Sequence, residues 1–297
     1  MPELPEVETI LQGLREHALG QRVTAVEVRN PAVVLGSLPD FIRDVRGGSI
    51  VGLKRKGKVL AIRLARGNRK PPQYLVVRLG MTGQFTVVPC ESPVELHTHI
   101  RLMLGKGKEE LRFRDVRRFG RLRCCVRGEL EEVFGRLGPD AREITEDQFL
   151  AALRGRRGAI KSWLMNQQFL SGIGNIYADE ALFAARIHPL TPAGRLPLVA
   201  ARRLHRAVRR ILDRAIAWGG TSVRDYLDAE GQRGDFLSQL RVYQRTGEPC
   251  RRCRRLIQRL IIGGRSSHFC RHCQPRPRWV AVRRSPRKVA VLRSQQA

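Results

Sequence analysis

The chain has 297 residues, 42% of them apolar, which is enough to bury more than one core, so two domains are expected. Lys and Arg number 56 against 27 Asp and Glu, a formal net charge of +29, and so large an excess points to a polyanionic partner rather than to an ordinary solvated surface. No apolar run reaches bilayer length, no basic stretch followed by an apolar core opens the chain, and the cations are spread over every kind of predicted element; membrane-spanning, exported and membrane-surface proteins are therefore set aside, and nucleic acid in the cytoplasm is the expected partner.

The chain opens MPELPEVETI. Leu4, Val7, Ile10, Leu11, Leu14 and Ala18 recur at helical spacing, and Gly20 ends the helix they predict. On these residues alone Pro2-Glu3 is a helix start with a carboxylate in its first turn. The segments RVTAVEVRN, GLKRKGKVLAIRLA, QYLVVRLGMTGQFTVV, HIRLMLG and ELRFRDVRRFGRLRCCV follow. They are β-branched, roughly alternating and broken by Gly, Pro or Asn, so residues 1 to about 130 are predicted as a sandwich or barrel with one leading helix.

The pattern changes near FGRLGPD. TEDQFLAALRG, AIKSWLMNQQFL, GNIYADEALFAARI and LPLVAARRLHRAVRRILDRAIAWGG all have helical periodicity. Thr145 with Gln148 offers a capping box, and Gly219-Gly220 offers a stop. LDAEGQRGDFLSQL is expected to be a flexible loop. Beyond the last cysteine, QPRPRWVAVRRSPRKVAVLRSQQA carries seven basic residues and no acid, and is expected to be a disordered basic tail.

Of seven cysteines, Cys90, Cys124 and Cys125 follow no pairing logic and are expected to be buried or incidental. Cys250-x2-Cys253 and Cys270-x2-Cys273 are separated by 16 residues, a spacing at which two knuckles wrap a tetrahedral zinc with four thiolates. Two disulfides are the other arrangement, disfavoured in a reducing compartment. His268 and His272 are substitute ligands that would break the symmetric spacing. Four thiolates leave no open position, so the zinc is expected to be structural. Between the knuckles Gly263-Gly264 predicts a turn that presents Arg265 to phosphates or a groove.

Taken in order, PELPEVET, RKGKVL, LGMTGQF, RRFG, AIKSWLMNQ, GIGNIYADEALF, VYQRTGEPC and the four cysteines resemble the formamidopyrimidine-DNA glycosylase family, bacterial bifunctional enzymes that remove oxidised purines such as 8-oxoguanine. The matching pieces run from residue 2 to 273. The resemblance implies an α+β fold in which an N-terminal β-sandwich with a leading helix, residues 1–134, joins a helical domain with a helix–two-turn–helix motif, residues 135–245. A zinc finger at 246–274 and a basic tail at 275–297 follow. The implied cofactor is one structural zinc, and the implied partner is duplex DNA containing oxidised purines, gripped by a monomer.

The resemblance also assigns residues. With the initiator Met1 removed, the Pro2 amine is the implied Schiff-base nucleophile, Glu3 the implied proton donor, and Glu6 a support for both. Lys58 is implied as a proton donor and phosphate contact, and Arg265 as a proton donor in elimination and a DNA contact. Met81, Arg117 and Phe119 match the trio that fills the hole left by the everted base. His99, Lys161, Asn175 and Tyr243 match DNA contacts, and Gly172 and Gly174 would let backbone approach a phosphate. Residues 226–240 match the loop that closes over the base. The chain departs from the family in reading DVRRFG, with Val116 where a proline usually follows the aspartate. Two other readings stand beside this one. An endonuclease VIII-type enzyme for oxidised pyrimidines shares the Pro-Glu start, but tends to have glycine where this chain has Leu4. A non-catalytic zinc protein that binds nucleic acid would be favoured if Met1 were retained.

Overall fold

The computed structural model describes residues 2–67, 71–105, 107–221 and 227–276. Met1 and the part of the expected tail from 277 onward lie outside them.

The leading helix α1 (Leu4–His17) forms as its spacing predicts. Glu3 precedes it in extended conformation, and the Glu6 carboxylate reaches back to accept from the Glu3 N–H at 2.7 Å. After β1 (Val23–Val28) comes a short helix, α2 (Leu38–Val45), then β2 (Ser49–Lys56), β3 (Val59–Ala65), β4 (Gln73–Arg78), β5 (Gly83–Pro89), β6 (Thr98–Leu104), β7 (Glu109–Asp115) and β8 (Arg121–Cys125). These make two antiparallel sheets in the orders β1-β6-β7-β5 and β2-β3-β4-β8. The shared core joins Leu60, Ile62, Leu75, Phe85, Ile100 and Phe113 to Val7, Ile10, Leu11 and Leu14 of α1.

Strand β3 is buried on both faces, which explains why VLAI shows no alternation. Its Leu60 and Ile62 face the sandwich core, while Val59 and Ala61 are covered by Leu130 and Phe134 of α3 (Arg127–Gly135). The sequence did not predict α2 or α3. Each is short and buries one or two side chains, Phe41 and Val45 in one and Leu130 in the other, too few anchors to make a period.

The helical domain contains α4 (Glu146–Leu153), α5 (Ile160–Met165), α6 (Asn175–Ala184) and α7 (Leu198–Ala217). Thr145 and Gln148 form the expected capping box on α4, and Gly219 and Gly220, both at positive φ, end α7. Leu4 belongs to this second core rather than to the sandwich. One helix therefore puts its first turn into one domain and its remaining apolar stripe into the other. Arg55 adds a polar tie, reaching Glu8 at 2.6 Å and Asp140 at 2.5 Å, with its side chain only 4% exposed.

The described part of the expected flexible loop is anchored instead. Ala229 is fully buried, its carbonyl accepts from the Val87 N–H at 2.7 Å, and Phe236–Gln239 form a 3-10 turn with Phe236 buried. The last element is the hairpin of β9 (Gln258–Ile262) and β10 (Arg265–Phe269), turning at Gly263-Gly264 as the sequence predicts. Among the described residues no helix is long and apolar enough to cross a membrane.

Candidate active site and DNA-facing surface

The first four N–H groups of a helix lack internal partners and attract anions. At α6 Glu3 takes up part of them. Its carboxylate accepts from the N–H groups of Gly174 at 2.6 Å, Ile176 at 2.9 Å and Tyr177 at 3.4 Å, and the residue is 1% exposed. Gly174 is glycine because this approach leaves no room: a Cβ there would stand 2.5 Å from the Glu3 carboxyl carbon and 2.6 Å from Lys58 Nζ. Gly172, at φ +108°, likewise gives space to Leu4, whose N–H donates to its carbonyl at 2.9 Å. The expectation that these two glycines open the backbone to a DNA phosphate is thus corrected. They receive the protein's own N-terminal segment, and the buried Pro2 is set at the meeting of the two domains.

Glu6 lies one turn along α1 and is equally buried. Its carboxylate accepts from the Glu3 N–H, from the Tyr177 hydroxyl at 2.5 Å and from the Thr221 N–H at 2.8 Å. Burial raises its pKa above the usual carboxylate range, with the Glu3 charge adding to the rise and the hydrogen bonds opposing it. Tyr177 and Thr221 are site residues the sequence reading missed.

Lys58 enters from the turn between β2 and β3. Gly57, at φ +55°, donates its N–H to Asp140 at 2.8 Å, which fixes that turn against the helical domain. Burial lowers the Lys58 pKa below the usual lysine range, Glu3 and Glu6 pull it back up, and Arg265 lowers it further. Arg265 heads β10 at the hairpin tip, exposed and near enough for its charge to act on Lys58.

Met81 lies in the turn between β4 and β5, and Arg117 and Phe119 in the turn between β7 and β8. The two turns pack backbone to backbone, because a Cβ at Gly80 would meet Gly120 N at 2.6 Å. Phe119 is 53% exposed, Met81 is half-buried, and the Arg117 guanidinium stands 4.8 Å from the Phe119 ring centroid. An aromatic ring so exposed beside a guanidinium is poor core packing and suits insertion among bases. Asp115 holds the turn by accepting from Thr82 Oγ1 at 2.5 Å and from the Gly120 N–H at 2.7 Å. Val116 is exposed and takes no part, so the departure from proline leaves this anchoring intact. His99 lies beneath: 6% exposed, its Nε2 is 2.8 Å from the Asp115 carbonyl and its Nδ1 is 3.5 Å from Asn30 Nδ2. The ring supports the turn from inside.

Lys161 needs correction as a phosphate contact. It is fully buried, with Nζ 2.7 Å from Asp179 Oδ1 and 2.7 Å from the Ser266 carbonyl. An ammonium without exposed surface has no face to offer a phosphate. Asp179 also accepts from the His268 N–H at 2.9 Å and lies 3.0 Å from His268 Nδ1. The next residue, Glu180, accepts from the N–H groups of Arg241, Val242 and Tyr243. Two adjacent buried acids on α6 therefore fix the finger hairpin and the segment leading to it. Their signal in the sequence was an acid pair, Asp179-Glu180, inside an otherwise apolar helix. Asn175 and Tyr243 line one groove with Arg259 and Arg265 on that side.

The Sγ atoms of Cys250, Cys253, Cys270 and Cys273 all lie within 4.8 Å of one another. A tetrahedron with zinc–sulfur bonds of about 2.3 Å has edges of about 3.8 Å. The Cys253–Cys270 and Cys250–Cys273 separations of 3.4 and 4.0 Å bracket that edge and are far too long for disulfides. The donor set fits one structural zinc. His268 is committed to Asp179, not to the metal. Of the other cysteines, burial pushes the thiols of Cys124 to about 12 and Cys125 to about 11, so both stay protonated.

Two domains that meet at a cluster of carboxylates and cations, with an exposed aromatic side chain and a guanidinium on a separate turn suited to entering a base stack, mark the class of DNA-processing enzymes. Comparison with known proteins narrows the class. The formamidopyrimidine-DNA glycosylase N-terminal domain matches residues 1–122, the H2TH domain of the same family matches 137–226, and the zinc finger found in FPG and IleRS matches 247–276. A formamidopyrimidine-DNA glycosylase of Solibacter usitatus is 43% identical over 281 residues, covering 93% of this chain and 100% of that one. One from Shewanella loihica is 41% identical over 279 residues, again covering 93% and 100%. Among solved structures, wild-type Lactococcus lactis Fpg with an N7-benzyl-Fapy-dG containing DNA matches at 33% identity and TM-score 0.85, covering 93% and 100%. The Thermus thermophilus MutM (Fpg) protein matches at 39% identity and TM-score 0.80, covering 92% and 98%. The chain belongs to the formamidopyrimidine-DNA glycosylase family.

Proposed function

We propose that the chain excises oxidised purines from duplex DNA with its N-terminal proline as nucleophile, and then nicks the abasic strand. Membership of the family and the likeness to an enzyme solved with Fapy-dG DNA support the substrate class. Once the initiator is removed, Pro2 carries a secondary amine whose ordinary pKa of about 8 leaves a useful neutral fraction at physiological pH. The amine attacks C1′, the glycosidic bond breaks and the base departs with its electron pair and a proton. The resulting iminium acidifies C2′, so the 3′ phosphate and then the 5′ phosphate leave by elimination.

The observation that carries this reading is the Glu3 carboxylate, held by the α6 amides beside Lys58 and directly after Pro2. There it exchanges protons with the opening sugar. Lys58 and Arg265 hold the flanking phosphates and supply protons during elimination. Met81, Arg117 and Phe119 occupy the vacated stack, Asn175 and Tyr243 line the phosphate track, and His99 acts from beneath the wedge. In this reading residues 1–134 are the catalytic domain, 135–245 and 246–274 the clamp, and the enzyme works as a monomer on the nucleoid in a bacterial cytoplasm.

Glu3→Gln tests the reading. Single-turnover release of 8-oxoguanine opposite cytosine should fall about 10²–10⁴-fold, with duplex binding retained. Release at the wild-type rate would remove Glu3 from the chemistry.

A further inference from the structure

A second basic cleft of about 350 Å³ lies away from the reaction pocket, where the C-terminal half of α6 meets α7, the segment 236–241 and the first zinc knuckle. Arg210, Arg214, Arg241, Arg251 and Arg252 line it, and all five are exposed. Its floor is apolar, with Phe183 and Phe236 both buried. Arg252 is fixed 4.6 Å from the Phe183 ring centroid, Arg214 reaches Gln239 at 3.3 Å, and Arg251 donates to the Ser238 carbonyl at 3.0 Å. Among the described residues none of the five forms an ion pair. The one carboxylate facing the cleft, Glu180, is 4% exposed and spends its oxygens on backbone N–H groups. Neighbouring charge continues along α7 through the exposed Arg206 and Arg209, and the helix's only acid, Asp213, is paired with Arg142 at 2.8 Å.

Five guanidinium groups at the rim of a cleft, without carboxylates to neutralise them, repel one another unless an anion is present. Guanidinium forks match phosphate bidentately. The cleft is not an extension of the reaction pocket. Glu3 occupies the N-terminal end of α6, whereas Glu180, Phe183 and Ala184 lie in its last five residues, and a ten-residue helix is about 15 Å long. The finger is likewise used at both ends, with Arg265 at the hairpin tip near Lys58 and Arg251 and Arg252 at the knuckle. We propose that this cleft binds the phosphate backbone of a second DNA segment while the first occupies the reaction pocket, so that the enzyme passes from one duplex to another without being free in solution. DNA is favoured over an acidic protein because an enzyme already on DNA meets neighbouring duplex as its most concentrated polyanion.

The full chain, loaded with zinc and bound to a labelled undamaged duplex, is chased with unlabelled duplex. Handover through a ternary complex makes the dissociation rate rise with chase concentration. Arg210→Gln with Arg251→Gln should abolish that rise, leaving single-turnover excision and the melting temperature unchanged. A wild-type rate independent of chase concentration, or an undiminished rise in the double variant, would overturn the proposal. So would a polyglutamate chase that accelerates release as well as DNA does and depends on the same two arginines, since the site would then accept acidic protein segments. An undamaged duplex keeps the result separate from any failure of the excision chemistry.

Discussion

Glu6 is surrounded by donors, yet burial and the neighbouring Glu3 raise its pKa. A carboxyl whose folded pKa lies above its unfolded value binds its proton more tightly in the folded protein. The stability linked to that proton is complete below the unfolded value, near the ordinary 4.5, and is lost as pH rises through the folded pKa. Glu6→Gln removes the titration and turns an amide N–H toward groups that are themselves donors, at a cost of about 1–3 kcal/mol. The gap in melting temperature between wild type and variant should therefore be widest at acid pH and narrow toward pH 8. A gap that widens with pH would contradict the assignment. The helix start and its two acids were legible in the first ten residues. Their partners were not, because Tyr177 and Thr221 lie about 170 and 215 residues away and carry no local signal.

At the scale of elements, α6 organises the site. Its N-terminus binds Glu3, Asp179 binds Lys161 and the β10 backbone, and Glu180 binds the segment before the finger. The sequence showed this helix and its two preceding glycines but suggested the wrong guest for those glycines, since an anion site at a helix end looks the same whether phosphate or glutamate fills it. Lys161 was misplaced for a related reason: a lysine in a basic protein suggests phosphate until its burial is known. Lys161→Met strips Asp179 of its main counter-charge, and breaking a buried pair costs about 3–5 kcal/mol, visible as a lower urea midpoint. A surface phosphate contact would change stability by about 0.5 kcal/mol or less. The finger was legible in full because its ligand spacing is local. Cys270→Ser should lower zinc content and DNA affinity while the sandwich keeps its own melting transition. Unchanged DNA affinity after zinc loss would exclude the finger from the clamp.

Over the whole molecule, the domains are joined by more than a linker. Leu4 is buried in the helical core while Val7 and Ile10 are buried in the sandwich, Arg55 bridges Glu8 and Asp140, and Ala229 pairs with β5. The N-terminal segment is thereby wedged at the junction, which makes the end of the chain a rigid place for a nucleophile. The order of a β-rich domain before a helical one was legible from the change of period near residue 135, although the strand pattern alone left sandwich and barrel open; the anchoring of 227–240 was not legible, because its glycines and polar residues have the composition of a free loop. The net charge of +29 suits electrostatic capture of duplex, but capture alone would fit a binding protein equally well. A covalent bond at Pro2, as proposed, would separate enzyme from binder. Borohydride reduction in the presence of duplex containing 8-oxoguanine opposite cytosine should join protein to DNA, and peptide mapping should place the sugar remnant on the peptide that begins at Pro2. Failure to trap, or a remnant mapped to Lys58, would contradict the account.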